Sequence, residues 1–370
     1  MKSSGASKFV RALAVVAAVC LLLSIPRKSE TRGAGRGSAG LDLLPNITRG
    51  LDLVAPSGGS LFVYDPDGPG GAEQALKTEL PGNESGLPLD EGPLFVDVFT
   101  GDGAVELPLE EYIIGVTAAE MPASYHSEAL KAQAIAARTF TLKHIVREAR
   151  CRSGHTICTD PSCCQAYITV EQMRSSWGAR FDEYYAKIRD AVLSTEGVVL
   201  KSGGELVTAL YHSSSGGRTE DCEAVFAVAL PYLVSVESEG EEDSPEFMAE
   251  KVFTDEEFME IINTKFPDAA MTDPKKDVEV WQRTESGRIA LIRLGGTVRT
   301  GQQLRNALKL HSTNAEFDFS GNTVRVTCFG FGHGVGMSQC GANAMARQGA
   351  DHEEILKHYY TGVELCTYEP

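Results

Sequence analysis

An uncharged apolar run of fourteen residues lies near the start of the chain, at residues 12–25, directly after the cations Lys2, Lys8 and Arg11. A cationic segment followed by an apolar one is typical of a secretory signal or a signal anchor. The run is just long enough for a bilayer when it begins three residues earlier and the Arg11 side chain extends to the interface. No small-residue cleavage motif follows it. We therefore expect a single-pass membrane anchor over residues 1–26, with a cleaved signal or a buried helix as the alternatives.

The next segment, residues 27–93, is rich in Gly, Pro and Ser and keeps neither a helical nor a strand-like apolar period. We expect a flexible linker there and one folded domain over residues 94–370, where the periodicity sharpens. An anchor or a signal would place that domain outside the cytosol, and an anchor would hold it at the cell membrane. The 34 Lys and Arg against 51 Asp and Glu give a net charge of −17, which argues against nucleic acid as a partner.

Strands and helices follow each other irregularly in this domain, which predicts an α+β fold with a single irregular mixture of elements rather than a doubly wound sheet. Apolar alternation predicts a strand over residues 94–99. Residues 107–120 predict a helix that stops there because Pro122 disfavours helical geometry at the residue before it. A second helix is expected over residues 127–149, with a serine cap and an alanine-lined face that permits close packing.

Glu120 lies at the end of the first of these helices, in the run AAEMP. Its carboxyl group would sit at the negative end of the helix dipole among apolar neighbours, and both conditions raise its pKa. A carboxylic acid with a raised pKa is what a general acid near neutral pH requires. Glu120 is therefore the candidate catalytic residue, and the alternative is a surface glutamate at a frayed helix end.

Two cations on the second helix, Lys131 and Arg138, are seven residues apart and project from the same side. Arg138 is surrounded by alanines, where a solvated charge would be unusual. The pair could bind an anionic group of a substrate. An internal salt bridge is the equally open alternative.

Two polar loops are further candidates for binding substrate. The first follows a predicted strand, and its candidate residues are Tyr211, His212, Ser213, Gly216 and Gly217. A hydrogen-bonded turn is the alternative for this loop. The second has four alternate glycines at positions 330–336, which let the backbone approach a ligand closely and display His333, with Gln339 just beyond. The spacing matches no nucleotide-binding motif.

Four cysteines cluster within fourteen residues, at Cys151, Cys158, Cys163 and Cys164, with His155 among them. A structural zinc site could use His155, Cys158 and Cys164, with Cys163 or Cys151 as the fourth ligand. Outside the cytosol, disulfides are the alternative, and four further cysteines could take part in them: Cys222, Cys328, Cys340 and Cys366. Acid catalysis by Glu120 requires no cofactor.

Several separated motifs resemble those of the stage II sporulation protein D family. They are LEEY at 109–112, AAEMPAS at 118–124, EALKAQAIAART at 128–139, TGQ at 300–302, the glycine-rich run at 330–339, GA at 341–342 and HYY at 358–360. The resemblance covers residues 94–370, and it implies a membrane-anchored lytic transglycosylase that cleaves peptidoglycan during engulfment in sporulation.

The resemblance also implies that Glu120 is the catalytic acid and that Arg138 and the Tyr211 and His333 loops border the glycan cleft. Some family members carry zinc at the cysteine segment, but here Cys163 stands where a histidine commonly precedes the second cysteine. Amidase enhancers share the domain. A non-catalytic binding module that works with a peptidoglycan amidase is therefore the main alternative, and such an amidase is also an expected partner of the enzyme.

The expected chemistry needs one carboxyl group. In a lytic transglycosylase the muramic acid C6 hydroxyl attacks C1 and closes a 1,6-anhydro ring, so no water is consumed. Lys131 and Arg138 would then hold the lactyl carboxylate of peptide-free glycan strands. Two other enzymes remain open: a muramidase with a second acid, and a cysteine hydrolase using Cys222 or Cys328 with His333.

Overall fold

The structure, a computed structural model, describes residues 94–101, 103–148 and 150–369. The expected anchor at residues 1–26 and the expected linker at 27–93 lie outside this part of the chain. None of the helices in the described part is long and apolar enough to cross a bilayer.

Short helices and small sheets alternate irregularly through the described ranges. The helices are α1 (Leu109–Glu120), α2 (Ser127–Val146), α3 (Val170–Trp177), α4 (Phe181–Leu193), α5 (Cys222–Phe226), α6 (Asp255–Lys265), α7 (Pro274–Asp277), α8 (Gly301–Leu308), α9 (Gln339–Arg347) and α10 (His352–Tyr359). The strands are β1 (Phe95–Phe99), β2 (Ala104–Pro108), β3 (Ile157–Cys158), β4 (Val198–Ser202), β5 (Glu205–Leu206), β6 (Tyr211–His212), β7 (Met248–Thr254), β8 (Val278–Arg283), β9 (Ile289–Leu294), β10 (Thr297–Thr300), β11 (Ala315–Ser320), β12 (Thr323–Phe329), β13 (Met337–Ser338) and β14 (Glu364–Thr367). Each described sheet has two or three strands. This mixture confirms the predicted α+β class.

Helix α1 starts two residues later than predicted and ends where predicted. The two residues before it belong to β2, which pairs antiparallel with β1. At the other end Met121 is extended, with φ −124° and ψ 135°. Pro122 imposes this geometry on the residue before it, so the helix stops at Glu120.

Helix α2 lies at the centre of the larger core. It is buried on nearly all sides from Ala129 to His144, between α1, α4, α9, α10 and strand β4. Its alanines leave room for neighbours to approach closely. It ends at Val146, earlier than predicted, and its cap is His126 rather than a serine: the His126 Nδ1 accepts a hydrogen bond from the Glu128 amide at 3.3 Å.

A second hydrophobic cluster fills residues 248–329, which we call the inserted lobe. Two three-stranded sheets, β11-β12-β7 and β10-β9-β8, pack there with α6 and α8. Strands β7 and β12 pair antiparallel along their whole length, so that Met248 faces Phe329. The chain therefore enters and leaves the lobe at one place, directly before the glycine-rich loop. The sequence did not predict this second core.

The two polar loops lie side by side. Strand β6 pairs in parallel with β13, and single bridges join Ser214 to Phe331 and Glu220 to Val335. Gly216 and Gly330 both have positive φ, 74° and 78°. A Cβ on Gly216 would lie 2.7 Å from the backbone of Phe329, and one on Gly330 2.6 Å from Ser214 and Ser215. Glycine is required where these two loops cross.

Candidate active site

Glu120 is buried at the C-terminus of α1, with 5% of its surface exposed. Its Oε1 accepts a hydrogen bond of 2.6 Å from the backbone amide of Ala166. Its Oε2 is buried and has no hydrogen-bond partner among the described residues. One oxygen is thus anchored to the main chain, and the other is buried beside the Tyr211 hydroxyl.

Burial raises the pKa of Glu120 to about 8, because water no longer stabilises the carboxylate. The Ala166 amide and the Tyr211 hydroxyl lower this pKa only in part. The direction agrees with the sequence-based expectation. At neutral pH the folded protein therefore holds Glu120 as a neutral acid with a proton to give.

A cavity opens beside this carboxyl group. Its walls are Phe140, Pro161, Ser162, Cys163, Cys164, Gln165, Ala209, Leu210, Tyr211, Phe226 and His333, in addition to Glu120. Glu120 is the one residue of this lining that carries a carboxyl group. The two phenylalanines and the leucine make the walls partly apolar, which strengthens electrostatic interactions inside.

Tyr211 and Gln165 form a polar wall of the cavity. The Tyr211 hydroxyl donates to Gln165 Oε1 at 3.0 Å, and Gln165 Nε2 donates to Thr141 Oγ1 at 3.0 Å. Burial keeps the pKa of Tyr211 well above its usual range, so the phenol stays neutral. The sequence analysis did not identify Gln165 as a site residue. It directly follows Cys164, in the same segment as the candidate metal ligands, and this position could have indicated its role.

His333 and His212 lie next to each other, with ring centroids 5.7 Å apart. His333 Nδ1 accepts from the Val335 amide at 3.1 Å, so its proton is on Nε2. His212 Nδ1 lies 3.2 Å from the Val335 carbonyl, which places the His212 proton on Nδ1. Burial lowers the pKa of both rings, that of His212 to about 3, and the positive charge of Arg288 adds to the effect. Both imidazoles are neutral near pH 7.

The other residues predicted to bind substrate make internal contacts. The Ser213 carbonyl accepts from the Cys340 amide at 2.9 Å, and the Gly217 amide donates to Ser215 Oγ at 3.0 Å. Gln339 is buried and donates to Gln133 at 3.1 Å. Of the predicted substrate-binding residues, only Tyr211 and His333 line the cavity; Lys131, Arg138, His212, Ser213, Gly216, Gly217 and Gln339 do not.

Arg138 occupies an internal salt bridge. It is fully buried, and its Nε and Nη2 donate to the two carboxylate oxygens of Glu110 at 2.8 and 2.6 Å. Its Nη1 and Nη2 also reach the carbonyls of Val198 and Val192, both at 3.1 Å. Each guanidinium nitrogen therefore has a partner inside the protein. This corrects the expectation that Arg138 binds substrate. The alternative, an internal salt bridge, is what the structure shows.

Lys131 lies in a separate, partly exposed network. Its Nζ donates to Glu128 Oε1 at 2.8 Å, and Glu128 Oε2 accepts from the His352 ring at 2.7 Å. The side chains of Lys131 and Glu128 are 24% and 20% exposed. The two helix cations thus do not act as one pair.

We expect Arg138→Met to lower the free energy of unfolding by about 3–5 kcal/mol, because it leaves Glu110 and two carbonyl groups without their buried partner. Lys131→Met is the matched control on the same helix. Because its ion pair is partly exposed, we expect a change of no more than about 1 kcal/mol. Urea denaturation of both variants and the parent measures the difference. Equal losses would contradict the internal role of Arg138.

The four clustered cysteines form a compact group. The sulfur atoms of Cys151, Cys158, Cys163 and Cys164 all lie within 4.8 Å of one another. His155 is outside this group: its Nδ1 lies 3.1 Å from Asp97 Oδ2, and its ring stacks on Phe99. The predicted ligand set is therefore corrected from one histidine with cysteines to four cysteines.

The four thiols fit a tetrahedral zinc ion. Sulfur ligands about 2.3 Å from zinc lie about 3.8 Å from each other; here all four sulfur atoms lie within 4.8 Å of one another, and those of Cys163 and Cys164 are 4.0 Å apart. Three of these thiols share their protons: hydrogen bonds among them lower the pKa of Cys163 and raise the pKa of Cys158 and Cys164. All eight cysteines of the described ranges are free thiols, so the structure contains no disulfide bond among them.

The positions of Cys222 and Cys328 do not support the hypothesis of a cysteine hydrolase. Cys222 and Cys328 are 0% and 2% exposed, and neither lines the cavity that holds His333. Burial raises the pKa of Cys222 to about 12, so its thiolate is scarce at neutral pH.

Comparison with known proteins identifies relatives of this chain. The family model described as "SpoIID: Stage II sporulation protein" matches residues 102–201. Stage II sporulation protein D of Bacillus subtilis is 36% identical over 297 residues, 80% of this chain and 85% of that protein. The protein of that name from Bacillus amyloliquefaciens is 38% identical over 281 residues, 75% of this chain and 80% of that protein. The amidase enhancer of Bacillus subtilis is 29% identical over 69% of this chain, but only 40% of that protein is covered. This chain belongs to the stage II sporulation protein D family.

Proposed function

We propose that the protein is a lytic transglycosylase of sporulation that cleaves the bond between N-acetylmuramic acid and N-acetylglucosamine in peptide-free glycan strands. Membership of the stage II sporulation protein D family supports the role in sporulation. One observation carries the catalytic part: Glu120 is a neutral acid at the wall of a cavity, with Oε2 free of any described partner. A sugar oxygen that enters the cavity can take the proton from this group.

The reaction is a proton relay through one carboxyl group. Glu120 protonates the glycosidic oxygen as the bond from that oxygen to C1 breaks. The C6 hydroxyl of the same muramic acid then forms a bond to C1, and the Glu120 carboxylate takes its proton. The products are a free 4-hydroxyl and a 1,6-anhydro end, and Glu120 is again protonated.

The absence of a second carboxyl group from the lining favours this route over hydrolysis. Inverting and retaining hydrolases both need a second carboxylate, about 5–9.5 Å from the first, to activate water or attack C1. Among the described residues that line the cavity, only Glu120 qualifies. An intramolecular hydroxyl needs no such partner.

The other wall residues supply orientation. The neutral Tyr211 phenol, held by Gln165, lies close enough to Glu120 to affect its pKa. Neutral His333 adds polarity without a charge that would pull the proton from Glu120. Cys151, Cys158, Cys163 and Cys164 would hold a structural zinc ion, whose contribution is to cross-link the segment that ends in the Ala166 amide.

Product mass decides between this proposal and a muramidase. The full chain is incubated with peptide-free glycan strands, and the new ends are analysed by mass spectrometry. We expect 1,6-anhydro ends, one water lighter than hydrolysis products. Ends that carry the extra water would replace the proposal with a hydrolase. Binding without cleavage would favour the alternative of an amidase-enhancing module, which the similarity to an amidase enhancer also suggests.

We expect the rate to depend on pH through Glu120. Because the acid form is active and its pKa is about 8, kcat/KM should be level below that value and fall about tenfold per unit above it. A pH series on the same glycan strands measures where kcat/KM begins to fall. A fall that begins near the ordinary carboxyl pKa of about 4.3 would contradict the assignment of Glu120 as the acid.

We also propose that the protein is held at the cell membrane. An anchor over residues 1–26 would keep the enzyme at the cell membrane with the domain outside the cytosol, where its substrate lies. A peptidoglycan amidase that strips peptides from the strands is the partner this chemistry requires.

A further inference from the structure

One turn of the inserted lobe, residues 284–288 between β8 and β9, packs against the two loops of the candidate site. The turn is closed by hydrogen bonds from the Thr284 amide to the Arg288 carbonyl at 2.8 Å and from the Gly287 amide to the Thr284 carbonyl at 3.0 Å. None of its residues lines the cavity. Its side chains nevertheless contact both loops that build the site.

Arg288 makes the central contact. Its side chain is almost completely buried, with 1% exposed, and its Nη2 donates to the Ser215 carbonyl at 2.7 Å and the Arg218 carbonyl at 3.3 Å. On the other side, a Cβ on Gly334 would lie 2.6 Å from the Arg288 guanidinium carbon. The backbone of Gly334 thus packs directly on this group. One side chain therefore touches the loop that follows His212 and the loop that carries His333.

Glu220 also binds this turn, through two hydrogen bonds to its carboxylate. Its Oε2 accepts from Thr284 Oγ1 at 2.6 Å and from Ser286 Oγ at 2.7 Å. The Glu220 amide donates to the Gly334 carbonyl at 2.8 Å. The turn, the first loop and the glycine-rich loop are consequently one connected unit.

The guanidinium is a buried charge close to the two histidines. Its Nε and Nη1 have no hydrogen-bond partner among the described residues. Burial lowers the pKa of His333, and His212, Arg305 and Arg288 add to the effect. The other ionisable side chains of its cavity are Glu120, Tyr211, Cys163 and Cys164. Both arginines belong to the inserted lobe, and their positive charges oppose protonation of His333.

We propose that Arg288 is a positioning residue of the Glu120 site: from the inserted lobe, its guanidinium holds the 212–218 loop and the 332–336 loop together and thereby fixes His333 against Glu120. The inference rests on the proposed function, because it concerns the same site. It also assigns a purpose to the lobe, none of whose residues lines the cavity. Arg288 touches no substrate and acts through His333.

The test compares Arg288→Met with Arg283→Met. Arg283 comes from the same turn region, but its Nη1 and Nη2 donate to the carbonyls of Gly287 and Ala315 within the lobe, at 2.6 and 2.9 Å. For the full chain acting on peptide-free glycan strands, we expect Arg288→Met to lower kcat about 10²-fold with KM little changed, since small misplacements of a catalytic site have effects of this size. Arg283→Met should keep the parent values.

A second readout separates positioning from general stability. The histidines are labelled with carbon-13, and their ring signals are followed by NMR between about pH 5 and 8, where an ordinary histidine titrates. In the parent and in Arg283→Met, we expect the His212 and His333 signals to stay constant. In Arg288→Met both signals should shift, because the two loops that carry these rings lose their common contact.

Each outcome decides the proposal. A folded Arg288→Met with parental kcat overturns it, and so does lost activity with unchanged histidine signals, which would assign Arg288 to stability alone. If Arg288→Met does not fold, Arg288→Lys decides, since it keeps the charge and one donor: a lowered kcat at unchanged KM supports the proposal, and a parental kcat overturns it. The NMR signals do not depend on catalysis, so an inactive parent would count against the proposed function and leave this test intact.

Discussion

Glu120→Gln is expected to reduce glycan cleavage by about 10²–10⁴-fold, the usual contribution of a positioned general acid. The amide has the shape of the carboxyl group, and its oxygen can still accept the hydrogen bond from the Ala166 amide. It cannot give up a proton to a sugar oxygen. Binding of glycan strands should therefore persist while the release of anhydro products stops.

Glu111→Gln is the matched control, because Glu111 lies on the same helix and is exposed. It should leave cleavage unchanged. Anhydro products released by Glu120→Gln at the parental rate would remove the acid role and leave a glycan-binding module.

The pH dependence of the free energy of unfolding tests the role of Glu120 without any substrate. The folded state keeps the Glu120 proton up to a pH of about 8, whereas the unfolded chain releases it near 4.5. The parent should therefore lose stability between these pH values, by at most about 1.4 kcal/mol per unit. Glu120→Gln has no titrating carboxyl group at this position, so it should not show this pH-dependent loss of stability. Its free energy of unfolding should therefore rise relative to that of the parent as the pH rises.

Removal of metal from the four-cysteine site is expected to produce a large loss of stability. A ligand that binds only the folded state adds about 4 kcal/mol when its free concentration is a thousand times its Kd, which corresponds to a Tm change of roughly 10 °C in a domain of this size. Cys158→Ser removes one of four thiolates. We expect the purified variant to contain less zinc and to melt earlier than the parent.

Cys366→Ser is the control, since Cys366 is half-buried and outside the cluster. Zinc content is measured by mass spectrometry of the purified full chain, and Tm is followed with and without a chelator. A parent without bound metal, whose Tm does not respond to the chelator, would contradict a metal site. Activity should fall together with metal content, because Cys163 and Cys164 form part of the cavity wall.

The local features of the site could be predicted from sequence. Pro122 ends α1 and so places Glu120 at a helix terminus, and both follow from neighbours in the chain. The roles of Arg138 and His155 could not be predicted in this way. Glu110 lies 28 residues from Arg138, and Asp97 lies 58 residues from His155. Spacing within one segment carries no information about such distant partners.

The contribution of the inserted lobe was hidden for the same reason. Arg288 acts on loops more than 40 residues away in either direction, and its own segment has no motif that sets it apart. Four cysteines in one loop predicted a metal or disulfides, but only their arrangement in space selects Cys151 over His155.

The hydrogen bond from Ala166 to Glu120 has an evolutionary consequence. Its donor belongs to the main chain, so every amino acid except proline can supply it. A change of side chain at position 166 therefore does not by itself remove the donor that anchors the acid. Natural selection could exchange the neighbouring sulfur ligands for other metal-binding side chains and keep the carboxyl group in place, provided that the chain follows the same path.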